Sequence, residues 1–167
     1  MEEGGAVMIR IRPYIDTDGE KILSWSRDEK SFYQWSAGML GTFPTTPERF
    51  SGLGKLMRFT ALDEMEVVGF FTLRNPRPTL DEVRFGYVIV NPDKRGAGIG
   101  REMLRLGLTF ARDVYGAKKA SLGVFENNTS AYRCYLAAGF REVKQETPEA
   151  YPVLGEIWSC KEMEIEF

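Results

Sequence analysis

The amino-acid sequence predicts a single-domain α+β fold, with a mixed and mostly antiparallel sheet flanked by helices. Three β-rich runs, separated by short turns or loops, precede a glycine-rich loop at residues 95–100. After that loop, segments with helical spacing alternate with further β-rich runs. The 167 residues suit one domain, which at this size buries about two thirds of its unfolded surface. We expect one domain over residues 1–167, with residues 1–6 disordered.

The first part of the chain supplies an edge strand and two helix starts. Val7–Pro13 alternates apolar and basic residues and ends at a proline, which is typical of an edge strand. Thr17 with Glu20 three residues later forms a capping box, so a helix should begin there. Thr46-Pro47-Glu48 places a hydroxyl before a proline, which predicts a short helix reaching about Leu56.

Three strands should precede the glycine loop. Phe59–Leu62 and Val67–Leu73 flank a turn at Asp63-Glu64. Val83–Val90 is rich in β-branched and aromatic residues and ends at Asn91-Pro92, where the proline lacks the N–H that a ladder needs. Strand alternation places side chains on two faces, with Glu82 and Arg84 on one and Val83, Phe85 and Tyr87 on the other.

Helices and strands alternate after the loop. Apolar residues at helical spacing run from Met103 to Val114 and stop at Gly116, and Ala120–Phe125 follows as a strand. We predict a loop at Thr147–Gly155 and a closing strand at Glu156–Phe167, whose residues alternate in polarity.

Composition excludes several classes of function. The 22 basic and 24 acidic residues are balanced and form no long block, so no nucleic-acid partner is expected. No apolar run approaches the roughly 18 residues of a membrane span, and the N-terminus lacks a signal region, so we expect a cytoplasmic protein with no membrane partner. The chain has no histidine and two distant cysteines, Cys134 and Cys160, which argues against a metal site.

The glycine loop has the features of an anion site. A strand, a tight glycine turn and a helix start direct backbone N–H groups and a positive dipole end to one place, which suits phosphate. The loop reads Arg95-x-x-Gly98-x-Gly100. The dinucleotide fingerprint fails because Met103 stands three residues after Gly100 and Arg101 three after Gly98, and the Gly-Lys-Ser/Thr of a P-loop is absent.

This loop resembles the pyrophosphate loop of the GNAT acyl-CoA N-acetyltransferases. A second family motif, Asn-x-x-Ala-x-x-x-Tyr-x-x-x-Gly-Phe, runs from Asn128 to Phe140 at the family's distance from the loop. The resemblance covers roughly residues 8–166 and is strongest over 83–143. The N-terminal half is weakly similar to the branch with ribosomal-protein N-terminal and polyamine acetyltransferases.

The resemblance implies a fold, a donor and a reaction. It implies a V-shaped opening between the two central strands, acetyl-CoA as acyl donor without a metal, and direct attack by a primary amine in a ternary complex. A non-catalytic acyl-CoA-binding module is the alternative, and a homodimer is left open. The implied cofactor-binding residues are Val88, Val90, Arg95, Gly96, Ala97, Gly98, Ile99, Gly100, Asn128 and Tyr135.

Two catalytic side chains are implied by the same resemblance. Tyr135 matches the family tyrosine that donates a hydrogen bond or proton to the leaving thiolate, and ring packing is its alternative role. Glu82 stands on the strand where relatives often carry a glutamate base, and a solvated carboxylate is the alternative. A base matters most for a lysine-like amine, whose deprotonation at pH 7 costs roughly 4.6 kcal/mol against about 1.4 kcal/mol for an α-amine.

The acceptor side is less defined. Phe32, Tyr33 and Trp35 are either core aromatics or an aromatic wall beside the acceptor. Tyr151 lies in the acidic segment 147–155, which is either a solvated hairpin loop or an acceptor wall that attracts an amine cation.

Overall fold

Eight strands form the centre of the part of the chain that the structure describes. The structure is a computed structural model and describes residues 8–167, so the expectation of disorder at residues 1–6 lies outside it. The strands are β1 (Ile9–Pro13), β2 (Met57–Asp63), β3 (Glu66–Arg74), β4 (Glu82–Val90), β5 (Lys119–Phe125), β6 (Arg141–Val143), β7 (Ala150–Val153) and β8 (Glu156–Glu166). Their order is β1-β2-β3-β4-β5-β8-β6, and β7 pairs with β8 outside this path. Neighbours are antiparallel except β4 and β5, which confirms the predicted mixed, mostly antiparallel sheet.

Helices cover both faces of the sheet. They are α1 (Gly19–Ser24), α2 (Glu29–Ser36), α3 (Glu48–Ser51), α4 (Ile99–Thr109) and α5 (Thr129–Ala137), and a π-helical turn at Phe110–Val114 extends α4. Phe71 packs in the core under α4 and α5, whereas its neighbour Phe70 packs in the core under α1 to α3. Since adjacent strand residues point to opposite faces, the two cores lie on opposite sides of the sheet.

The central strands β4 and β5 separate after a short pairing. They pair in parallel only over Glu82–Arg84 and Lys119–Ser121. The register between β3 and β4 shifts farther along, and Tyr87 there adopts a positive φ of 50°. A bulged strand bends and twists, so β4 turns away from β5. This divergence is the V-shaped opening that the family resemblance implied.

The bulge corrects the predicted side-chain pattern of β4. Val83 and Phe85 pack under α4 and α5, as alternation predicts, but Tyr87 and Ile89 pack with the core under α1 to α3. An extra residue at the bulge inverts the alternation for the rest of the strand. Val88 and Val90 therefore face the side of α4 and α5.

The predicted capping box of α1 does not form. The chain enters α1 through a 3-10 turn at Asp16–Asp18, so Thr17 lies before the helix. Asp18 instead accepts hydrogen bonds from both Arg12 guanidinium nitrogens at 2.7 and 2.8 Å, from Thr60 Oγ1 at 2.7 Å and from the Ile15 N–H at 3.1 Å. A buried carboxylate with these partners fixes the start of the helix better than an exposed threonine.

Two further boundaries differ from the predictions. Helix α3 ends at Ser51 rather than near Leu56, because Gly52 and Gly54 follow it and glycine weakens a helix. The predicted loop 147–155 contains β7, which forms a hairpin with β8. Leu154 and Gly155 both have positive φ, the backbone that a two-residue hairpin turn requires.

We predict that Asp18→Ala lowers the free energy of unfolding by about 3 kcal/mol. The substitution leaves the Arg12 guanidinium and the buried Thr60 hydroxyl without their acceptor. Thr17→Ala is the matched control at the adjacent exposed position and should change stability by less than about 0.5 kcal/mol. Urea unfolding at pH 7 measures the free energy of unfolding of both variants. Equal losses in the two would contradict the role of Asp18 as the anchor of α1.

The Asp18 carboxylate also makes the stability of the fold depend on pH. Burial raises the pKa of Asp18, but hydrogen bonds from Arg12, the Ile15 N–H and Thr60 outweigh burial and lower it below 3.8. The contribution of Asp18 to the free energy of unfolding is therefore complete at a pH above its ordinary pKa of 3.8. It is lost as the pH falls through the lowered pKa of the folded state. The stability difference between the parent and Asp18→Ala should shrink as the pH drops below about 4.

Candidate active site

The loop between β4 and α4 forms the start of the site. Gly96 and Gly98 have positive φ values of 87° and 78°, and no atom of the described part of the chain lies within 4 Å of where a side chain would begin. The first intrahelical hydrogen bond of α4 runs from the Glu102 N–H to the Gly98 carbonyl at 3.0 Å. The N–H groups of residues 99–101 thus have no partner within the helix, and with the helix dipole they form an anion site.

Close packing fixes where this helix start lies. A Cβ on Gly107 of α4 would come within 2.8 Å of the Phe85 ring and 3.0 Å of the Phe71 ring. Helix α4 therefore lies directly against β3 and β4, and its N-terminus stays beside the end of β4.

A cavity of about 740 Å³ extends from the loop towards α2 and α5. All ten residues predicted to bind the cofactor line it, including Val88 and Val90 on β4 and Tyr135 on α5. The structure thus brings together residues up to 47 positions apart in sequence, from Val88 to Tyr135. This volume lies within the range of ligand pockets.

Several lining residues were missed by sequence reasoning. Lys94 and Arg101 flank the glycine loop, so their place in the sequence could have indicated a role beside an anion. Others come from the segment that ends β5 and from the segment around α2, where no sequence signal identified them; they include Trp25, Ser26, Ser31, Gln34 and Asn127.

Asn128 has two roles at once. Its side chain caps α5 by accepting the Ala131 N–H at 3.4 Å, and the residue lines the cavity. The cap sets the direction in which α5 leaves the site.

A second, smaller cavity of about 40 Å³ lies in the opening between β4 and β5. It shares five lining residues with the large cavity, so the two adjoin. The shared residues are Gln34, Trp35, Val88, Asn128 and Tyr135.

Tyr135 is a protonated phenol at this junction. The residue is buried, and its hydroxyl makes no hydrogen bond to another protein atom within residues 8–167. Burial, with a smaller contribution from Cys134, raises the pKa of Tyr135 well above 10. The hydroxyl therefore keeps its proton and is free to donate a hydrogen bond into the cavities.

Glu82 lines neither cavity. It stands at the first residue of β4, where its carboxylate lies 3.0 Å from Arg77 and 3.8 Å from Lys119. Burial raises its pKa, but hydrogen bonds from Arg77 and Ser121 and the charges of Lys119 and Arg77 outweigh burial and lower it. A carboxylate of lowered pKa is a weak base, so this position does not favour its predicted role, which stays a prediction.

The fold places the three aromatic residues predicted beside the acceptor in different surroundings. Phe32 is 1% exposed and belongs to the core, and Tyr33 packs against the same core. Trp35 lines both cavities and donates from Nε1 to Ser26 Oγ at 2.7 Å.

Tyr151 lies on β7 and lines neither cavity. Its hydroxyl donates to Glu149 at 2.6 Å, and its ring packs edge-on against Phe125. The hydrogen bond to Glu149, with burial and the same negative charge, raises the pKa of Tyr151 to about 12.

An ion pair lies on the sheet beside the small cavity. Arg84 binds both oxygens of Glu162 at 2.6 and 3.0 Å and donates to Ser121 Oγ at 3.1 Å. Gly123, which lines the small cavity, adjoins this pair, since a Cβ there would lie 3.2 Å from an Arg84 nitrogen and 3.0 Å from Cys160 Sγ.

Residues 8–167 hold no cluster of three or more histidine, cysteine, aspartate or glutamate residues suited to a metal ion. None of the helices described there has the length and apolar character needed to cross a membrane.

Sequence relatives of the chain include mycothiol acetyltransferases. One from Salinispora tropica is 30% identical over 141 residues, which make up 81% of this chain and 45% of that protein. One from Rhodococcus opacus is 35% identical over 97 residues, 54% of this chain and 30% of that protein. The chain spans less than half of the length of these relatives.

Solved structures share the fold. A spermidine N-acetyltransferase from Vibrio cholerae in complex with CoA and spermine has a TM-score of 0.77 at 19% identity and covers 95% of each chain. An acetyltransferase (GNAT family) from Bacillus anthracis has a TM-score of 0.76 at 18% identity and covers 96% of each chain. At these identities the likeness concerns the fold alone.

The acetyltransferase (GNAT) family model matches residues 20–140, well over half of the chain. That range contains the glycine loop, both central strands and the Asn128–Phe140 motif. The family match shows, and the fold agrees, that this chain belongs to the acetyltransferase (GNAT) family.

Proposed function

We propose that this protein transfers an acetyl group from acetyl-CoA to a primary amine by direct attack in a ternary complex. One observation carries the proposal. All ten predicted cofactor residues line one cavity, and this cavity adjoins the smaller cavity in the opening between β4 and β5. Tyr135 stands where the two cavities meet. A donor held at the glycine loop would thereby present its thioester beside this phenol.

The glycine loop is suited to the pyrophosphate of CoA. Gly96 and Gly98 leave open space above the backbone, the first N–H groups of α4 have no helical partners, and Arg95 adds positive charge. From there, Val88 and Val90 line an apolar path along β4 for the pantetheine arm.

The reaction balances within this site. The lone pair of a neutral amine attacks the thioester carbon, a C–N bond forms, and the C–S bond breaks with its electron pair on sulfur. The nitrogen loses one proton and the CoA thiolate gains one. Tyr135 donates a hydrogen bond to the sulfur as it becomes negative, and this interaction is strongest in the transition state.

The raised pKa of Tyr135 defines its contribution. A CoA thiol resembles cysteine, with a pKa of about 8.5, so complete transfer of a more tightly held phenol proton is unfavourable. Hydrogen-bond donation to the developing thiolate is the favoured role, and the sulfur is finally protonated with a proton from the amine or from water.

A non-catalytic acyl-CoA-binding module would need only the glycine loop. Two features beyond the loop favour catalysis: the small cavity in the V-shaped opening and, beside it, the Tyr135 hydroxyl, which makes no hydrogen bond within residues 8–167. The relatives' named acceptors, mycothiol-related compounds and spermidine, are candidates to test and do not define the acceptor here.

Two further expectations, a homodimer and a cytoplasmic location, stay predictions. A homodimer is compatible with the exposed Leu154 and Ile157 at the β7–β8 hairpin, and light scattering would measure its mass. A cytoplasmic location would be tested by fractionation of cells that produce the protein.

We predict that Gly98→Glu removes acetyl-CoA binding while the fold survives. The new carboxylate would occupy the anion site and repel the pyrophosphate. Acetyl-CoA at about a hundred times its dissociation constant should stabilise the parent by about 2.7 kcal/mol and the variant by little. A thermal shift assay measures the difference, and NAD should shift neither protein.

Gly116→Glu is the matched control. Gly116 has the same φ of 78°, the same open space and a place outside the cavities. Both variants carry similar backbone strain, so only Gly98→Glu should lose the response to acetyl-CoA. An unchanged response in Gly98→Glu would overturn the loop assignment.

We predict that Tyr135→Phe lowers kcat by about 100-fold, equivalent to roughly 2.7 kcal/mol, with little change in acetyl-CoA affinity. The ring is kept, so packing survives, and the lost hydrogen bond acts mainly as sulfur gains charge. An acyl donor with a more acidic thiol should recover part of the rate.

Tyr132→Phe controls for removing a phenol oxygen from the same helix. Tyr132 donates to Glu142 at 2.9 Å and lines neither cavity, so its turnover should match the parent. If the kcat of Tyr135→Phe also stays within about threefold of the parent's, another group or water donates the hydrogen bond or proton to the leaving thiolate.

A further inference from the structure

Gln34 of α2 stands where the two cavities meet. The residue is partly buried, and it lines both the large and the small cavity, as do Val88 on β4 and Tyr135 on α5. The thioester of a donor bound at the glycine loop would lie at this junction, beside Tyr135. The polar side chain of Gln34 therefore lies beside the place where the reaction would occur.

Asn127 fixes which end of the Gln34 carboxamide remains for a ligand. Gln34 Nε2 donates to the Asn127 backbone carbonyl at 3.3 Å and to Asn127 Oδ1 at 3.2 Å. A backbone carbonyl only accepts hydrogen bonds, so the NH2 end of the carboxamide must face Asn127. Gln34 Oε1 is the other end of the same planar group, and it accepts no hydrogen bond from any atom of residues 8–167. This oxygen is thus a hydrogen-bond acceptor that a ligand in the cavities can use.

Helix α2 holds this carboxamide in a fixed place. The Asp28 carboxylate caps the helix by accepting the Ser31 N–H at 2.7 Å. Phe32 is buried in the core, and Trp35 Nε1 donates to Ser26 Oγ at 2.7 Å. The carboxamide between these two aromatic residues is therefore preorganised, which reduces the entropy lost when a ligand binds to it.

An attacking amine needs a hydrogen-bond acceptor at this junction. The lone pair of the neutral nitrogen must point at the thioester carbon, so the two N–H bonds of a primary amine point away from that carbon. As the C–N bond forms, the nitrogen becomes positive and each N–H becomes a stronger donor. A fixed carbonyl oxygen then stabilises the transition state more than it stabilises the bound amine.

The amide N–H groups of the acyl donor have other acceptors. β4 pairs with β5 only over Glu82–Arg84, so the later carbonyls of β4 that face the opening lack ladder partners. An extended pantetheine arm beside Val88 and Val90 would donate its N–H groups to this strand edge, as an added strand does. Gln34 stands on a different element, so its oxygen is left for the acceptor amine.

We propose that Gln34 orients the acceptor amine: its Oε1 accepts one N–H and directs the lone pair towards the thioester carbon, while Asn127 positions the carboxamide. This inference rests on the proposed acetyl transfer. Gln34 takes no proton, because a side-chain amide does not titrate near neutral pH. The C–N bond forms, the C–S bond breaks with its electron pair on sulfur, and the nitrogen loses its proton to sulfur or to water.

The first test is Gln34→Met, which keeps the length of the side chain and removes both polar ends. The acceptor is the best substrate among glycinamide, Nα-acetyl-lysine amide and spermidine, judged by CoA release from the parent. We expect kcat/KM for that amine to fall about 10- to 100-fold, the range for losing a hydrogen bond to a charged group. The dissociation constant of acetyl-CoA, measured by isothermal titration calorimetry, should change less than about twofold, because the donor does not use this oxygen.

Gln145→Met is the matched control. Gln145 is the only other glutamine of the chain, and it lines neither cavity. Its kcat/KM and acetyl-CoA affinity should match the parent. An unchanged kcat/KM in Gln34→Met, or an equal loss in Gln145→Met, would overturn the proposal. A loss of acetyl-CoA affinity of about tenfold in Gln34→Met, with an unchanged acceptor KM, would assign the oxygen to the pantetheine arm and would overturn it too.

Two further variants separate the oxygen from the hydrogen bonds to Asn127. Gln34→Glu keeps an accepting oxygen but cannot donate to Asn127, so it should retain more of kcat/KM than Gln34→Met. Asn127→Ala keeps the backbone carbonyl as a partner of Nε2, so it should lower kcat/KM by only about threefold. Equal losses in Gln34→Glu and Gln34→Met would show that only the contact with Asn127 matters, which contradicts the proposal. Melting temperatures show whether each variant folds, and Gln34→Ala replaces Gln34→Met if that variant does not.

Failure of the reaction itself gives a different result. Absence of CoA release from the parent with all three amines, which represent α-amines, lysine-like amines and polyamines, would contradict acetyl transfer to a primary amine. A parent that turns over, together with a Gln34→Met variant that equals it, would contradict only the role of Gln34.

Discussion

The divergence of two parallel strands is the constraint on which the site depends. β4 and β5 pair over three residues at one end and then separate, while their other edges stay paired with β3 and β8. The opening is thus held by the rest of the sheet and does not collapse. Backbone groups that face it lack ladder partners on that side, so it is one of the few places where a ligand can approach the sheet interior.

A single irregularity in β4 produces both the opening and its walls. The bulge at Tyr87 stores backbone strain, since a bulky residue with positive φ is unfavourable. The same bulge exchanges the faces of the strand, so Val88 and Val90 reach the large cavity and Tyr87 the small one. The dense cores on both sides, with Phe71 and Phe70 fully buried, oppose any relaxation of the bulge.

Charge is distributed unequally around the site. The large cavity carries lysine and arginine beside a helix start, which suits an anionic donor. The carboxylates of the neighbouring sheet face are bound to Arg84, to Arg77 and Lys119, or to a tyrosine hydroxyl. The positive charge around the glycine loop is therefore separated from the carboxylates of the sheet face, which are held by their own partners.

The sequence by itself predicted the sheet class and the glycine loop, because these follow from local spacing, and its resemblance to the GNAT family implied the ten cofactor-binding candidates. Only the tertiary structure decided which face Tyr87 occupies, that β7 pairs with β8, and that Asp18 anchors α1. It also separated Trp35, which lines the cavities, from Phe32 in the core and Glu82 at an ion pair. Burial and the β4 bulge depend on contacts between elements distant in sequence, which local spacing does not reveal, whereas the β7–β8 hairpin turn at Leu154 and Gly155 is local.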